Sequence, residues 1–449
     1  MNRADSRQLA DQLEALGYCP TLDAKLADVI VLNTCVVRQS AEDKALGRIS
    51  ALKPLKQRGR DTIIGVMGCL VGTGAPTPLQ ERFPYVDVFM PPSDGSALIE
   101  LLKAREGYDL HCQQVARCHR FQDNAVYPAS GSSQPMTNSR QPVSDYVSVI
   151  YGCNHVCSFC VIPRRRGIER SRPLDEIVAE VKSLVARGAR EITLLGQIVD
   201  RYGYDLVGIR RPLDHDEAAG FHVRPDLADL LRAVHEIDGL ERIRFLTSHP
   251  NYITDCLLKT VAELPKVCEH IEVAVQAGDD EVLRRMRRRC TSGEYRRLIG
   301  HIRKMLPRAS MATDVIVGFP GETATQFEET YHLLEELRLD MAHIAAYSPR
   351  PGTASARWAD DVPREEKERR RRLLESLQER VAGEINARLL GQTAEVLVEE
   401  KHRGRWKGRT RTNKLVFFED SADWRGRLAQ VKITWTGPWS LIGEIVTQT

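Results

Sequence analysis

The stretch Tyr151-Gly152-Cys153-Asn154-His155-Val156-Cys157-Ser158-Phe159-Cys160 places three cysteines on one short loop with the spacing C-x3-C-x2-C. Three thiolates so close in sequence can ligate three irons of a four-iron cluster and leave the fourth iron open to another ligand. We therefore predict that Cys153, Cys157 and Cys160 hold such a cluster and that the chemistry of the chain is centred on this loop.

A zinc site and disulfides are the alternatives for this loop. Structural zinc takes Cys and His ligands, and His155 lies inside the loop, but no nearby segment supplies the second ligand pair. Three thiols cannot pair off, and the N-terminus carries no export signal, which disfavours disulfides. The spacing and the aromatic Phe159 before the last cysteine resemble the C-x3-C-x-aromatic-C signature of the radical S-adenosylmethionine (SAM) superfamily. That resemblance implies a [4Fe–4S] cluster that chelates SAM.

Composition limits the class of protein. The 449 residues are enough for two or three domains, and 42% hydrophobic with 28% charged residues is ordinary for a soluble protein. No uncharged apolar run approaches the ~18 residues that would suggest a membrane span, so we expect a cytoplasmic protein. Eleven cysteines without a secretory signal indicate metal ligation or thiolate chemistry. The net charge of +3 is too small to identify a polyanionic partner.

The first 105 residues alternate short apolar runs with helical periodicity. Strands are predicted at 29–32, 63–67 and 86–89, which indicates an α/β domain with a parallel sheet. Cys35 and Cys69 directly follow the first two strands, so both thiols should lie at the carboxyl edge of the sheet. They are candidates to share one ligand, although a single buried cysteine is common without any such role.

Three segments of this domain resemble the N-terminal domain of the methylthiotransferases: Asn2 to Ser6, Asn33 to Arg38 and Gly65 to Cys69. In that family three cysteines hold an auxiliary cluster, which implies ligand roles for Cys35 and Cys69. The family pattern begins with a strand and Gly-Cys-x-Met-Asn, whereas this sequence begins at Met-Asn, so the first strand and the third ligand are missing. We expect a start codon assigned too late, with a degenerate cluster as the alternative; Cys19 lies at a turn where the family has no ligand.

Residues 106–144 have little periodicity and are rich in Ser, Pro and Gln, which is typical of a linker. A small metal site involving His111, Cys112 and Cys118 is an alternative there. From 145 to 390 the chain repeats strand and helix six times, which predicts a partial (β/α)6 barrel with its site at the strand carboxyl ends. The predicted strands are 147–150, 192–195, 243–246, 271–274, 312–317 and 342–346.

Loops at the same edge of the barrel carry residues that match SAM-binding positions of the radical SAM family. The resemblance implies that Phe159, Gln197, Gln276 and Gly318 line the SAM site. Gly318 would also allow close approach of backbone to a ligand, but glycines serve ordinary turns as well. Arg164, Arg165 and Arg166 follow the cluster loop directly and suit contacts with phosphates.

Residues 391–449 change to a two-residue period with turns, which predicts a small OB-like β-barrel. The segment 402–414, interpreted as a loop, interleaves cations with an aromatic ring and therefore suits RNA; a charged hairpin without a ligand is the alternative. The segment resembles the TRAM domain, an RNA-binding barrel. The predicted RNA-binding residues are Arg405, Trp406, Lys407, Arg409, Arg411 and Lys414.

The N-terminal α/β domain, the radical SAM core and the TRAM barrel together resemble the radical SAM methylthiotransferases, in particular the branch that acts on tRNA. That resemblance implies a transferase with two [4Fe–4S] clusters and SAM as cofactors. It would methylthiolate C2 of N6-isopentenyladenosine at position 37, next to the anticodon. It also implies an electron donor such as flavodoxin or ferredoxin; we expect a monomer.

Two alternatives remain for the function. The first is the same chemistry on another target, either threonylcarbamoyladenosine in tRNA or an aspartate of a ribosomal protein. The second is a non-catalytic iron–sulfur protein that binds RNA, which the missing third cysteine keeps open. The sequence assigns no role beyond packing to Cys256, Cys268 and Cys290.

Overall fold

The computed structural model describes residues 1–36, 39–57, 61–74, 76–105, 142–206 and 224–446. It divides into two compact units, Met1–Arg140 with Val161–Gly167, and Gln141–Cys160 with Ile168–Thr449. His111, Cys112, Cys118 and nearly all of the predicted linker lie outside the described residues. The domain boundaries at 105, 144 and 390 stay a prediction.

The first unit is an α/β fold around a parallel sheet in the order β1-β2-β3, as predicted. The short helix at 77–82 was not predicted from the sequence, because six residues show too little periodicity. The elements are α1 Asn2–Ala15, β1 Val29–Thr34, α2 Gln39–Gln57, β2 Ile63–Gly68, α3 Thr77–Arg82, β3 Val88–Met90, α4 Ser96–Arg105 and α5 Ile162–Arg166.

Strand β2 is buried along its whole length, which explains its continuous apolar sequence. On one side Ile64 and Val66 pack with Ile49 and with Val161. On the other side Met67 belongs to a second apolar cluster that includes residues of α1 and α4. Val161 shows that the segment after the cluster loop is part of the core of the first unit.

Six parallel strands form the core of the second unit, and they confirm the predicted partial barrel. Hydrogen-bonded pairs join them in two groups of three, and a bridge between Ser248 and Val273 connects the groups. The strands are β4 Ser144–Ser148, β7 Glu191–Leu195, β8 Arg242–Leu246, β9 His270–Glu272, β10 Ser310–Val317 and β11 Met341–Ala346. Two short antiparallel strands that the sequence did not predict, β5 Ile150–Tyr151 and β6 Arg170–Ser171, flank the cluster loop.

Helices between these strands bury their apolar faces against the barrel and make one large core. Several begin with side-chain caps, such as the reciprocal hydrogen bonds of Thr291 with Glu294 and of Thr323 with Gln326, which fix where the chain leaves each loop. They are α6 Leu174–Ala186, α7 Leu227–His235, α8 Asp255–Glu263, α9 Asp280–Arg285, α10 Ser292–Met305, α11 Ala324–Leu337 and α12 Arg364–Ala387. None of the helices in the described ranges is long and apolar enough to cross a membrane.

The C-terminal residues form a closed barrel in the order β12-β13-β14-β16-β15, which confirms the predicted fold. The interpretation of 402–414 as one loop is wrong, because residues 405–410 form a strand. Trp406, Gly408 and Thr410 alternate inward there, and the small inward residues hide the two-residue period. The strands are β12 Thr393–His402, β13 Arg405–Thr410, β14 Leu415–Phe418, β15 Leu428–Thr436 and β16 Leu441–Ile445.

Candidate functional site

The cluster loop begins directly after β5 and is held by hydrogen bonds of its own backbone. The amide of His155 donates to Cys153 Sγ over 3.4 Å, and the amide of Cys160 donates to the carbonyl of Cys157 over 3.1 Å. Ser158, which is buried, anchors the middle of the loop: its amide donates to the carbonyl of Met286 and its hydroxyl to that of Arg285. No pattern in the sequence indicated this anchor.

The donor set of the loop fits a cluster with one open iron. It offers three thiols; Cys153 is buried, and Cys157 and Cys160 are half-buried. Burial raises the pKa of the Cys153 thiol to about 11, and metal ligation requires the thiolate, so cluster assembly must release that proton. Within the described ranges no three His, Cys, Asp or Glu side chains already form a metal-binding group.

The predicted SAM-binding residues lie near the same edge of the barrel. Gln197 follows β7, and Gly318 follows β10. The backbone of Gln276 bridges to β10 through its amide and its carbonyl, and Phe159 packs in an apolar cluster that includes Phe319. Their contacts with SAM stay a prediction.

Gly318 is required at its position for two reasons. Its φ of +68° is unfavourable for other residues, and a Cβ there would lie 2.3 Å from Lys367 Cγ. The amide of Gly318 donates to the carboxylate of Glu322, which also pairs with Arg370 over 2.9 Å. Both partners of this ion pair are buried, so it fixes the turn after β10.

Cys35 and Cys69 lie at the carboxyl ends of β1 and β2, as predicted. Between them, Gly68 has a φ of +104°, and a Cβ would lie 2.5 Å from the carbonyl oxygen of Thr34. This close approach lets the amide of Cys69 donate to that same carbonyl. Burial raises the pKa of the Cys69 thiol, while the Arg166 guanidinium acts in the opposite direction by charge and by a hydrogen bond.

The prediction that Arg166 contacts phosphate is wrong. Its side chain is 4% exposed and pairs with buried Asp5 over 3.3 Å, with a further hydrogen bond of 2.7 Å to Asn2 Oδ1. Arg166 therefore contacts residues of the first unit at the sheet edge that carries Cys69, and it is not available to phosphates. Arg165 donates to the carbonyl of Leu70, and Arg164 is exposed.

A group of aromatic and cationic side chains lies beside the cluster loop, and the sequence analysis did not find it. We call it the aromatic wall; it consists of His155, Arg201, Tyr204, His249 and Tyr252. The Nε2 atom of His155 is 2.9 Å from the Tyr252 hydroxyl, and its ring is 4.8 Å from that of His249. The Arg201 guanidinium lies 4.7 Å from the centroids of both tyrosine rings. These residues lie in the segments that come after β5, β7 and β8, and this position is the signal that could have identified them.

Two buried groups support the wall. Both carboxylate oxygens of Glu169, which is 2% exposed, lie 2.8 Å from Arg201 Nε and share the one hydrogen that this atom donates. Asp200 accepts from the amide of His249 on both carboxylate oxygens, over 3.2 and 3.1 Å. Burial lowers the pKa of His249 to about 2, and its Nε2 has no hydrogen-bond partner among the residues that the structure describes.

Asp200 makes stability depend on pH. Burial raises its pKa from 3.8 to about 8, so between these values the folded chain holds a proton that the unfolded chain has lost. Stability from this group is therefore greatest below pH 4 and is lost as the pH rises towards 8.

Asp200→Asn keeps an oxygen to accept from His249 and cannot ionise. We expect the variant to gain melting temperature over the wild type progressively from pH 5 to about pH 8, measured by thermal unfolding; equal gains at all pH values, or the same trend in exposed Asp238→Asn, would contradict this.

The segment Arg409–Lys414 comprises the last two residues of β13 and the turn that leads to β14, and we call it the barrel loop. It docks on the amino-terminal ends of the core strands. Arg411 pairs with Glu269 over 2.9 Å and donates to two carbonyls, and Lys414 pairs with Asp340 over 2.6 Å. Ser310, the first residue of β10, donates to the carbonyl of Thr412 over 2.9 Å. The barrel loop, which comes from the C-terminal barrel, therefore covers one end of the partial (β/α)6 barrel. The cluster loop lies at the opposite end of that partial barrel.

Two buried arginines of β8 complete this contact. Arg242 donates to the carbonyl of Arg409 and to Glu395, and Arg244 donates to the carbonyls of Thr410 and Arg411 over 2.7 Å each. Arg244 also pairs with Glu191 over 3.0 Å, and both side chains are 3–4% exposed. Their charges are thus balanced inside the protein.

The six predicted RNA-binding residues consequently differ in availability. Trp406 is buried in the barrel core and donates from Nε1 to the carbonyl of Asp420, so its ring cannot serve as the stacking surface that we predicted. Arg411 and Lys414 form ion pairs with Glu269 and Asp340 of the partial barrel and are therefore less available to RNA. Arg405 pairs with the exposed side chain of Glu419 and Lys407 with that of Glu400, so neither cation is tied to the core by these pairs. Arg409 is partly exposed and lies 3.7 Å from Glu399. An RNA role for these cations stays a prediction.

Comparisons with known proteins agree with this architecture. The radical SAM superfamily model matches residues 147–334, that of uncharacterized protein family UPF0004 matches 1–91, and that of the TRAM domain matches 387–446. The tRNA-2-methylthio-N(6)-dimethylallyladenosine synthase of Roseiflexus sp. is 50% identical over 99% of this chain and 87% of its own length. Its counterpart from Herpetosiphon aurantiacus is 44% identical over 100% and 96%.

A solved structure is similar in fold. It is the radical SAM methyltransferase TsrM from Kitasatospora setae, with cobalamin and a [4Fe–4S] cluster bound. The TM-score is 0.51 at 15% sequence identity, and the match covers 84% of this chain and 68% of that one. At this identity the similarity concerns the fold alone.

Proposed function

The chain belongs to the radical SAM methylthiotransferases, and on that premise we propose that it is a transferase that methylthiolates C2 of N6-dimethylallyl (isopentenyl) adenosine in tRNA, at position 37 beside the anticodon. The observation that carries the proposal is the identity of 50% to a synthase of this name along nearly the full length. The cluster loop stands at the strand carboxyl ends, where barrel enzymes place their chemistry.

The reaction explains why a cofactor is needed. The hydrogen on C2 of adenine is not acidic, so acid–base groups of the protein cannot remove it. When bound, a reduced cluster with SAM would supply a 5′-deoxyadenosyl radical that can remove it. Cys153, Cys157 and Cys160 would hold this cluster, Ser158 fixes the loop that carries them, and the turn held by Glu322 presents backbone next to Gly318 for the cofactor.

We assign the second cluster to the edge of Cys35 and Cys69. Both thiols follow adjacent parallel strands, and the Arg166 guanidinium beside Cys69 favours its thiolate form. The auxiliary cluster would supply sulfur, and a second SAM would supply the methyl group. The sequence pattern identified two cysteines at this edge, Cys35 and Cys69, and no third ligand.

The partners follow from the chemistry. The substrate is tRNA, and the SAM cluster needs one electron for each cleavage, which a flavodoxin or ferredoxin would deliver. We propose a cytoplasmic monomer. These partners, the monomeric state and the location are inferences from the reaction and from the names of the relatives.

Nucleoside analysis tests the function. The anaerobically reconstituted protein is incubated with SAM, a reductant and tRNA that carries N6-dimethylallyladenosine, and the digested tRNA is analysed by mass spectrometry. We expect the 2-methylthio derivative to form. Product from threonylcarbamoyladenosine tRNA or from a ribosomal protein, but not from this tRNA, would assign the chain to another target. Tight tRNA binding without any SAM turnover would identify a non-catalytic iron–sulfur protein.

The exposed cations of the barrel give a second prediction. Arg405→Glu with Lys407→Glu is expected to weaken tRNA binding by about tenfold and to lower its salt dependence, because two cations become anions at a surface that phosphates approach. SAM cleavage in the absence of tRNA should be unchanged. Binding is measured by fluorescence anisotropy at several salt concentrations, with Arg425→Glu as a same-barrel control. Unchanged affinity at every salt concentration would remove this surface from the RNA site.

A further inference from the structure

Arg224 is an exposed cation that packs against the aromatic wall. Its guanidinium carbon stands 3.8 Å above the centroid of the Tyr204 ring, and Nη1 donates to the carbonyl of Tyr204 over 3.1 Å. Among the residues that the structure describes, no carboxylate pairs with it. An exposed guanidinium that is oriented by an aromatic ring and keeps its charge unneutralised is suited to bind an anion.

The backbone fixes where this guanidinium lies. Gly203, with a φ of +84°, lets Pro225 approach so closely that a Cβ on residue 203 would collide with the carbonyl oxygen of Pro225. The amide of Gly203 is held by Ser171 Oγ over 2.9 Å. Tyr204 and Arg224 are therefore brought together by backbone contacts on both sides, and the stacked pair is built into the fold.

Further stacking connects Arg224 with the cluster loop. Arg201 contacts the Tyr204 ring and also that of Tyr252, whose hydroxyl is 2.9 Å from His155 in the loop. The series Arg224, Tyr204, Arg201, Tyr252 and His155 thus runs from an exposed cation to the loop that carries Cys153 and Cys157. Glu169 neutralises Arg201, whereas no carboxylate within the described ranges pairs with Arg224 at the outer end.

Resting on the proposed function, we propose that Arg224 contacts a backbone phosphate of single-stranded anticodon-loop RNA and that the tyrosines next to it receive a base beside the cluster loop. Enzymes that modify a base take it out of its stack, and aromatic rings and guanidinium planes stack on such bases in single-stranded RNA. Phosphate contacts by arginine position the strand without reading its sequence. Because the cation lies at the outer end of the series and the rings lie towards the cluster loop, the phosphate would bind at the outer end and the base nearer to the loop.

Salt-dependent binding tests the phosphate contact. The reconstituted holoenzyme is titrated with a labelled anticodon stem-loop that carries N6-dimethylallyladenosine, between about 50 and 200 mM salt. We expect Arg224→Gln to weaken binding at low salt by about fivefold and to reduce the slope of log K against log salt by about 0.7, the value for one phosphate on a single strand. The control Arg297→Gln removes one exposed guanidinium from the outer helix α10 and should change neither quantity.

Two further variants separate charge from stacking. Arg224→Lys keeps the charge and is expected to keep the salt slope while it loses part of the affinity, since an ammonium does not stack as a guanidinium plane does. Tyr204→Leu removes the ring and should weaken binding as much as Arg224→Gln. Iron content and unfolding midpoints of each variant verify that the fold is retained.

The outcomes distinguish this inference from the proposed function. A wild-type slope and affinity for Arg224→Gln, or an equal loss for Arg297→Gln, would overturn the phosphate contact. So would a raised KM for SAM with unchanged RNA affinity, because Arg224 would then bind the SAM carboxylate. These outcomes are measured while the wild type forms the methylthio product; a wild type without product contradicts the proposed function instead.

Discussion

Cys157→Ala is expected to eliminate reductive cleavage of SAM, with a loss of at least about 1,000-fold in 5′-deoxyadenosine formation. We propose that the SAM-binding cluster is held through three thiols on one loop, and two thiols cannot keep three irons in place. Without that cluster, bound SAM would have no adjacent iron from which to take the electron that starts the reaction. The measurement combines chromatographic detection of 5′-deoxyadenosine with iron and sulfide content and EPR spectra of the reduced protein.

The matched control is Cys256→Ala. That cysteine lies exposed on α8 and should leave both iron content and turnover at the wild-type value. Cys69→Ala provides a second comparison, because it removes a thiol from the other edge and should leave SAM cleavage in place while methylthiolation fails. Full iron content and normal 5′-deoxyadenosine yield in Cys157→Ala would refute the assignment of the loop.

Arg244→Met is expected to destabilise the second unit by about 3–5 kcal/mol, the usual cost of removing one partner of a buried ion pair. The substitution leaves the Glu191 carboxylate buried without its cation, and it leaves the carbonyls of Thr410 and Arg411 without their donor. Methionine fills a similar volume, so the loss would reflect charge and hydrogen bonding. The urea midpoint of unfolding measures the effect, and increased proteolysis near the barrel loop would show where the structure opens.

A double variant examines the cause. Arg244→Met with Glu191→Gln removes the uncompensated charge and should recover part of the lost stability, which a double-mutant cycle expresses as a coupling energy. Arg284→Met, at an exposed pair with Glu281, should change stability by less than about 1 kcal/mol. If the single variant Arg244→Met proved as mild as Arg284→Met, the barrel loop would not depend on buried charge for its docking.

The fold was largely accessible from the sequence, for a physical reason. Strands of a parallel sheet are buried on both faces, so β2 and the core strands read as apolar runs, and the amphipathic helices between them have a clear period. Strand β13 was missed because Gly408 and Thr410 occupy inward positions where larger apolar residues would reveal the alternation. Short helices such as α3 and α9, with six residues each, contain too few residues to display a period.

The site was accessible only in part. Cysteine spacing within ten residues predicts the cluster loop, because all three candidate ligands come from one segment. The aromatic wall comes from three separate strand ends, and the burial of Trp406 and Arg166 depends on neighbours distant in sequence. Charge composition predicted that these side chains would face RNA, but it contains no information on which cations already have a carboxylate partner.

Residues Val161–Gly167 belong to the first unit although residues of the second unit precede and follow them. The chain thus contributes to the first unit twice, and Val161 completes an apolar core whose other members come from residues 36–86. A gene fragment that encodes only residues after 140 would leave Val161 without these neighbours. Recombination at a single junction would likewise divide the first core between two parental sequences. The two units are therefore expected to be inherited together rather than exchanged as independent modules.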